Sequence, residues 1–314
     1  MKVLVDVDLT ESQLMRIREA AGDGPVVVAT ATAAAQREVR DADVLFGSFN
    51  PDLFERAGQL RWVQTLGAGV DGLLFDDFVN SDIILTSEKG YVGPHLAEHA
   101  FALLLAITRG IARSVRERTW TNRLSLRGEC WELTDRTMGI VGLGGTGREV
   151  AKRAAAFGMR VLAVDPEVVR QPPEVSELWR MDRFSDLLQE SDAVVICAPL
   201  TSETRGLFNL AAFRQMKRSA ILVNVTRGAI VDEASLLTAL GEGLIAAAGL
   251  DVTPIEPLPP SHPLWSMDNV VITPHAAGAS PYRMDRVVDL FCRNLVALQE
   301  GRPLESVIDK RKGY

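Results

Sequence analysis

Residues 137–166 read TMGIVGLGGTGREVAKRAAAFGMRVLAVDP. A β-branched run leads into Gly142-Leu143-Gly144-Gly145-Thr146-Gly147, which fits G-x-G-x-x-G. A helical stretch follows, closed by Gly158, and a second apolar run ends at Asp165. Each part has a physical task. Gly142 permits the tight turn, Gly144 lets a pyrophosphate approach the backbone, and Gly147 permits close helix–strand packing. The helix start around Thr146–Arg148 offers free N–H groups and the positive end of its dipole to phosphates. Gly145 and Thr146 complete the cradle. Asp165, 23 positions after Gly142, is placed to accept hydrogen bonds from ribose hydroxyls. A glycine-rich turn without a ligand is the plainer reading; the full strand–loop–helix–strand–Asp order favours a dinucleotide. A carboxylate at 165 repels a 2′-phosphate, and Pro166 and Glu167 bring no arginine to receive one. The expected cofactor is therefore NAD, with NADH preferred over NADPH.

The same alternation runs outward along the chain. Short apolar runs lie at Lys2–Val7, Val26–Thr30, Asp43–Phe46, Trp62–Leu66 and Ile83–Thr86. A later series lies at Met138–Val141, Arg160–Val164, Ala193–Cys197, Ala220–Val225, Ala246–Leu250 and Val270–Ile272. Segments of helical composition, such as Glu11–Ala20 and Arg148–Phe157, separate them. Continuous apolar strands between helices indicate parallel sheets covered on both faces. The fold class is α/β, with two doubly wound parallel-sheet domains. HLAEHAFALLLAITRG, from His95 to Gly110, is apolar on nearly all sides and reads as a buried helix between layers or subunits. From Arg283 to Glu300, Met284, Val287, Val288, Phe291, Leu295 and Leu298 recur at helical spacing. That stripe can pack on either domain.

Composition narrows the function classes. A chain of 314 residues suggests two domains at about 150 residues each. Hydrophobic residues are 47% and charged residues 24%, which is globular rather than disordered. The net charge of −7 opposes nucleic acid and anionic membrane surfaces. The apolar runs Ala100–Ile107 and Ala193–Leu200 are far short of the roughly 20 residues that span a bilayer. The first residues, MKVLVDVDLT, lack the pattern of a signal peptide. Three scattered cysteines, Cys130, Cys197 and Cys292, fit a reducing cytoplasm better than a disulfide framework. Arg109, Arg113, Arg116, Arg118, Arg123 and Arg127 crowd around Trp120. With Glu117 and Glu129 nearby, this reads as a subunit interface or solvated face rather than a nucleic-acid surface.

Hydride chemistry at a carbonyl needs a proton donor, and histidine is tuned to neutral pH. The four histidines are His95, His99, His262 and His275. His95 and His99 lie on the buried helix, and His262 sits in a proline-rich loop. His275 follows the run Val270–Ile272, and strand C-terminal ends are where open α/β sheets bind ligands. The segment LDVTPIEPLPPSHPLW leaves the run Ala246–Leu250 with five prolines between Pro254 and Pro263. A loop so stiffened can hold Glu256 in place, and a carboxylate beside an imidazole orients it and favours its charged form. A proline-rich recognition ligand is the alternative. Arg227 stands after Ala220–Val225, just before Gly228. Its fork suits a 2-oxo acid carboxylate, although a surface ion pair is the plainer reading for an isolated arginine.

Taken together, GLGGTG with Asp165, PLTSETRGLFN, NVTRGAIVDE, LDVTPIEPLP and NVVITPHAAG resemble the D-isomer-specific 2-hydroxyacid dehydrogenase family, over nearly the whole chain. The resemblance implies a catalytic set of Arg227, Glu256 and His275. It implies a flavodoxin-like substrate domain, residues 1–97 and 283–314, with a Rossmann NAD-binding domain, residues 98–282, inserted in it. It identifies the helix from His95 with the family's interdomain and dimer helix, hence a homodimer. QTLGAGVDGL matches the family's glycine loop, where the amides of Ala68 and Gly69 hold the substrate carboxylate as an anion nest. By the same analogy Asp251 and the Val225–Thr226 backbone contact the nicotinamide side. Pro199 and Thr204 line the adenosine side, and Gly278 joins the cofactor contacts. The activity implied is an NAD-dependent 2-oxo acid reductase working reversibly on small 2-hydroxy acids. Two features depart from the usual pattern. Gly145-Thr146 replaces the customary bulkier pair, and LGAGVD resembles glyoxylate/hydroxypyruvate reductases, many of which use NADPH. Glu256 separates the chain from formate dehydrogenases, which carry glutamine there. An NAD(H)-sensing scaffold or corepressor on the same fold is the rival reading.

Overall fold

The computed structural model describes residues 1–167 and 170–314. The chain divides into two compact units, Met1–Val92 with Ser280–Tyr314, and Gly93–Ala279. The divisions fall at 92/93 and 279/280, against the 97/98 and 282/283 that the family resemblance implied. The helix Gly93–Thr108 therefore stays whole within the second unit.

In the first unit five parallel strands, β1 (Val3–Asp6), β2 (Val26–Val28), β3 (Val44–Gly47), β4 (Trp62–Gln64) and β5 (Ile84–Thr86), lie in the order β2-β1-β3-β4-β5. The period of two along each strand sends alternate residues to opposite faces. Leu4, Leu45, Val63 and Leu85 enter one buried cluster. Val3, Val5, Val44, Phe46 and Trp62 enter the other, which the helix Arg283–Gln299 covers with Val287, Val288, Phe291 and Leu295. The ring of Phe291 stacks on Phe46 at 4.5 Å and on Trp62 at 4.9 Å. Those contacts decide what periodicity left open: the C-terminal stripe belongs to the first unit. The helix Glu11–Ala21, which joins the same cluster through Ile17 and Ala21, is started by a capping box between Thr10 and Gln13.

The second unit holds seven parallel strands. They are β6 (Thr137–Val141), β7 (Arg160–Val164), β8 (Glu177–Trp179), β9 (Ala193–Ile196), β10 (Ile221–Asn224), β11 (Ala247–Leu250) and β12 (Val270–Ile272), in the order β12-β11-β10-β9-β6-β7-β8. The order reverses between β6 and β9, the position at which open α/β sheets bind ligands beyond the strand ends. Both faces are covered, so β6, β9 and β10 are buried along their full length. Helix Gly93–Thr108 packs Ala97, Ala100, Phe101, Leu103 and Leu104 into the core, while Ala102 stays exposed. A Cβ on Gly249 of β11 would come within 2.9 Å of the Leu103 Cβ, so glycine sets how close this helix lies to the sheet. Strand β8 was not expected from the sequence. It is an edge strand, half-buried throughout, and carries no continuous apolar run. Among the described residues no helix is long and apolar enough to cross a membrane.

Candidate active site

The glycine loop joins β6 to the helix Gly145–Ala156, which starts slightly earlier than the composition suggested. Gly142 has φ +93°, and a Cβ there would stand 2.8 Å from the Cα of Ala198. A Cβ on Gly147 would stand 2.1 Å from the Gly142 carbonyl oxygen. Sterics thus require both glycines. Gly144 caps the helix, and the space its Cβ would take is open. A cradle walled by glycine on the protein side and clear in front fits the pyrophosphate of a dinucleotide. Gly145 and Thr146 form the first helical turn of that cradle.

Asp165 closes β7 and is buried. One oxygen accepts the Leu143 amide at 2.7 Å and the other the Glu167 amide at 2.8 Å. The acid therefore ties the glycine loop to the β7 end. Two arginines stand on the segment beyond it, from outside the stretch considered for cofactor choice. Arg180 donates to the Pro166 carbonyl, and Arg148 donates to that of Arg170 at 3.2 Å. Past β9, Thr204 Oγ1 donates to the Pro199 carbonyl at 2.7 Å, bringing together the two residues expected on the adenosine side.

Arg227, Glu256 and His275 follow the C-terminal ends of β10, β11 and β12, which are sheet neighbours. His275 Nδ1 lies 2.6 Å from a Glu256 carboxylate oxygen, and both side chains reach solvent. The other Glu256 oxygen accepts the Thr253 amide at 3.0 Å, which fixes the carboxylate. A Cβ on Gly228 would overlap Thr253, at 2.0 Å from its carbonyl carbon. The turn bearing Arg227 is thus pressed against the loop that leads to Glu256. Asn224, fully buried at the end of β10, shapes that turn: its Nδ2 donates to the Arg227 carbonyl at 2.9 Å, and its Oδ1 accepts the Thr226 amide at 3.1 Å. Val225 is buried between Asn224 and the half-buried Thr226.

His275 has φ +52°, unusual for a residue with a side chain. Asp251 sustains it. Its carboxylate accepts the amides of Ala276 and Ala277, both at 2.9 Å, and the Thr273 hydroxyl at 2.6 Å. His99 stands behind this group, with Nε2 2.7 Å from Thr273 Oγ1 and 3.2 Å from the Asp251 carboxylate. His262 accepts the Leu264 amide and pairs with Glu233, a structural role in the proline-rich loop. Gly278 lies beyond Ala277, with open space where its Cβ would be. Sequence reasoning missed Asn224 and Thr273. A polar residue ending an apolar strand is the signal that could have found Asn224.

In the first unit the loop after β4 carries Ala68, half-buried, and Gly69, exposed. Ser87 Oγ reaches the Ala68 carbonyl at 3.4 Å. Among the described residues no cluster of metal-ligating side chains occurs.

A glycine-cradle sheet bearing a His–Glu pair at its strand ends defines a nucleotide-linked oxidoreductase. Residues 101–277 match the family model "D-isomer specific 2-hydroxyacid dehydrogenase, NAD binding domain". A glyoxylate reductase of Korarchaeum cryptofilum is 39% identical over 274 residues, covering 84% of this chain and 81% of that protein. A D-isomer specific 2-hydroxyacid dehydrogenase of Xanthobacter autotrophicus Py2, solved with NADPH and MES, matches with a TM-score of 0.85 at 29% identity, covering 100% of this chain and 99% of that one. An NADPH-dependent glyoxylate/hydroxypyruvate reductase of Sinorhizobium meliloti, solved with NADP and sulfate, matches with a TM-score of 0.84 at 28% identity and the same coverage. The chain belongs to the D-isomer specific 2-hydroxyacid dehydrogenase family. It is a dehydrogenase/reductase that couples NAD(P) to the interconversion of 2-oxo and 2-hydroxy acids.

Proposed function

We propose that the protein is an NADH-preferring reductase of small 2-oxo acids, with His275 as proton donor. The observation that carries this reading is the 2.6 Å contact between His275 Nδ1 and Glu256. With Nδ1 facing the carboxylate, Nε2 is the nitrogen left to protonate the carbonyl oxygen. Glu256 orients the ring. Arg227 binds the substrate carboxylate and polarises the carbonyl. The first unit serves as the substrate domain, and the amides of Ala68 and Gly69 anchor the carboxylate. The glycine loop, Pro199, Thr204, Val225, Thr226 and Gly278 hold the dinucleotide, whose reduced nicotinamide supplies the hydride when bound. In the reverse direction a neutral His275 accepts the proton.

Asp165 supports the NADH preference through its charge. Arg148 and Arg180 beside the segment after it, together with the NADPH and NADP of the two solved relatives, favour NADPH as a second reading. A homodimer is proposed from the exposed apolar side chains Ile111, Val115, Trp120 and Leu124 clustered in sequence, where Arg113 pairs with Glu117 and Glu129. The free cysteines support a cytoplasmic setting. A screen of 2-oxo acids, glyoxylate and hydroxypyruvate included, with NADH and NADPH in turn, followed by absorbance of the reduced cofactor, tests the proposal. Turnover with NADH above NADPH is expected; no turnover of any 2-oxo acid overturns it.

A further inference from the structure

Strand β5 ends at Thr86, and the next two residues, Ser87 and Glu88, are both buried. A buried carboxylate is costly unless it is paired. Its partner is Arg283, the first residue of the helix Arg283–Gln299, whose Nε lies 2.9 and 3.0 Å from the two Glu88 oxygens and whose Nη2 also donates to Glu88. Burial pushes the Glu88 carboxyl above its ordinary range, and the guanidinium opposes that shift. A cation in the first turn faces the positive end of the helix dipole, so helix stability does not account for arginine here. The same Nη2 reaches the Leu66 carbonyl at 2.5 Å. Leu66 immediately precedes Gly67-Ala68-Gly69, and Ser87 Oγ reaches the Ala68 carbonyl at 3.4 Å.

We propose that Arg283, aimed by Glu88, is a positioning residue that fixes the Gly67–Gly69 loop through the Leu66 carbonyl and so presets its amides for the substrate carboxylate. This rests on the reading that Ala68 and Gly69 receive that carboxylate. An amide nest binds an anion well only when its N–H groups already converge, because ordering them on binding subtracts from affinity. Glycines offer the least resistance to disorder, so the restraint comes from the residues flanking them.

Three variants test it: Arg283→Met, Arg283→Lys, and Arg283→Met combined with Glu88→Leu. Steady-state kinetics with the best 2-oxo acid, cofactor Kd by fluorescence, and amide exchange of a peptide spanning residues 65–72 are measured for each. Arg283→Met is expected to raise KM roughly tenfold with kcat within about threefold, leave cofactor Kd unchanged, and speed amide exchange in the peptide. Arg283→Lys, with a point charge in place of a fork, falls between. The double variant removes the unpaired charge, so it recovers thermal stability but keeps the raised KM and fast exchange. It also carries the test if Arg283→Met does not fold. Normal KM and normal exchange in the double variant overturn the proposal and leave charge compensation as the pair's only role. If the unaltered protein reduces no 2-oxo acid, the functional reading fails, and the exchange rates alone decide whether Arg283 holds the loop.

Discussion

The amide of His275 donates to the Asp251 carbonyl at 2.8 Å, while the Asp251 carboxylate takes the amides of the next two residues. One buried acid thus turns the chain after β12 and keeps His275 at positive φ. Such conformations persist only where the surroundings over-determine them. The family resemblance set Asp251 on the nicotinamide side; its first task in this fold is to build the loop that presents His275.

Asp251→Asn tests this. The amide keeps the size of the carboxylate but turns one acceptor into a donor facing another N–H. Hydrogen bonds to a charged group contribute about 1.5–3 kcal/mol each, so thermal stability should fall measurably. The expected kinetic result is a kcat at least roughly tenfold lower, since the proton donor loses its fixed position. Lower stability with unchanged kcat would show that the loop holds His275 without Asp251.

His275→Ala should lower the rate of reduction by about 10²–10⁴, the range for loss of a general acid, while cofactor binding persists. Glu256→Gln should cost less, because the ring keeps a hydrogen-bond partner and loses only its charge. Fluorescence titration of cofactor against both variants separates chemistry from binding. Near-normal kcat in His275→Ala would return attention to His99, which stands 2.7 Å from Thr273 at the same strand end.

The legible parts of the fold are those buried on both faces. Ala193–Ile196 and Ile221–Asn224 read as strands because each is covered above and below. Glu177–Trp179 did not, because an edge strand needs no continuous apolar run. The periodicity of the stripe from Met284 to Leu298 announced a helix but not its address; the stack of Phe291 on Phe46 and Trp62 places it in the first unit. Local motifs pointed to Arg227, Glu256 and His275 one by one. What joins them was not legible: Gly228 packs against Thr253 and Thr273 bonds Asp251 across neighbouring strand ends, and sequence spacing says nothing about which ends adjoin. The arginines near Asp165 escaped for the same reason, since Arg180 arrives from beyond the edge strand.

Cys292 offers a pH test free of any activity assay. Burial pushes its thiol up to about 11. The sign is direct: a raised thiol pKa leaves the neutral, unreactive form dominant at neutral pH. Alkylation of Cys292 in the native protein should accelerate about tenfold per pH unit from 7 to 10, following the thiolate fraction. Cys197, pushed higher still by burial, should label last. Site-resolved mass spectrometry after timed iodoacetamide exposure reads both. A Cys292 rate that levels off near pH 8.5 would mean that its surroundings are wetter than the packed helix indicates.

Cofactor choice turns on Asp165, and its two amide contacts sharpen the test. Both oxygens are engaged, one with Leu143 in the glycine loop and one with Glu167, yet each carboxylate oxygen has a further lone pair for a ribose hydroxyl. Charge at this spot penalises a 2′-phosphate, and burial makes the penalty larger than it would be in water. The unaltered protein should therefore show a higher kcat/KM with NADH than with NADPH. Asp165→Ser should narrow that ratio by roughly tenfold or more, as one charge repulsion is removed. It should also weaken both cofactors somewhat, because serine cannot serve Leu143 and Glu167 together. Arg180→Met separates the two readings. If Arg180 only anchors the Pro166 carbonyl, the variant changes both cofactors alike; if it receives a 2′-phosphate, NADPH alone suffers. Equal kcat/KM for the two cofactors in the unaltered protein would refute the NADH preference. A selective loss of NADPH in Arg180→Met would then assign this segment to phosphate recognition.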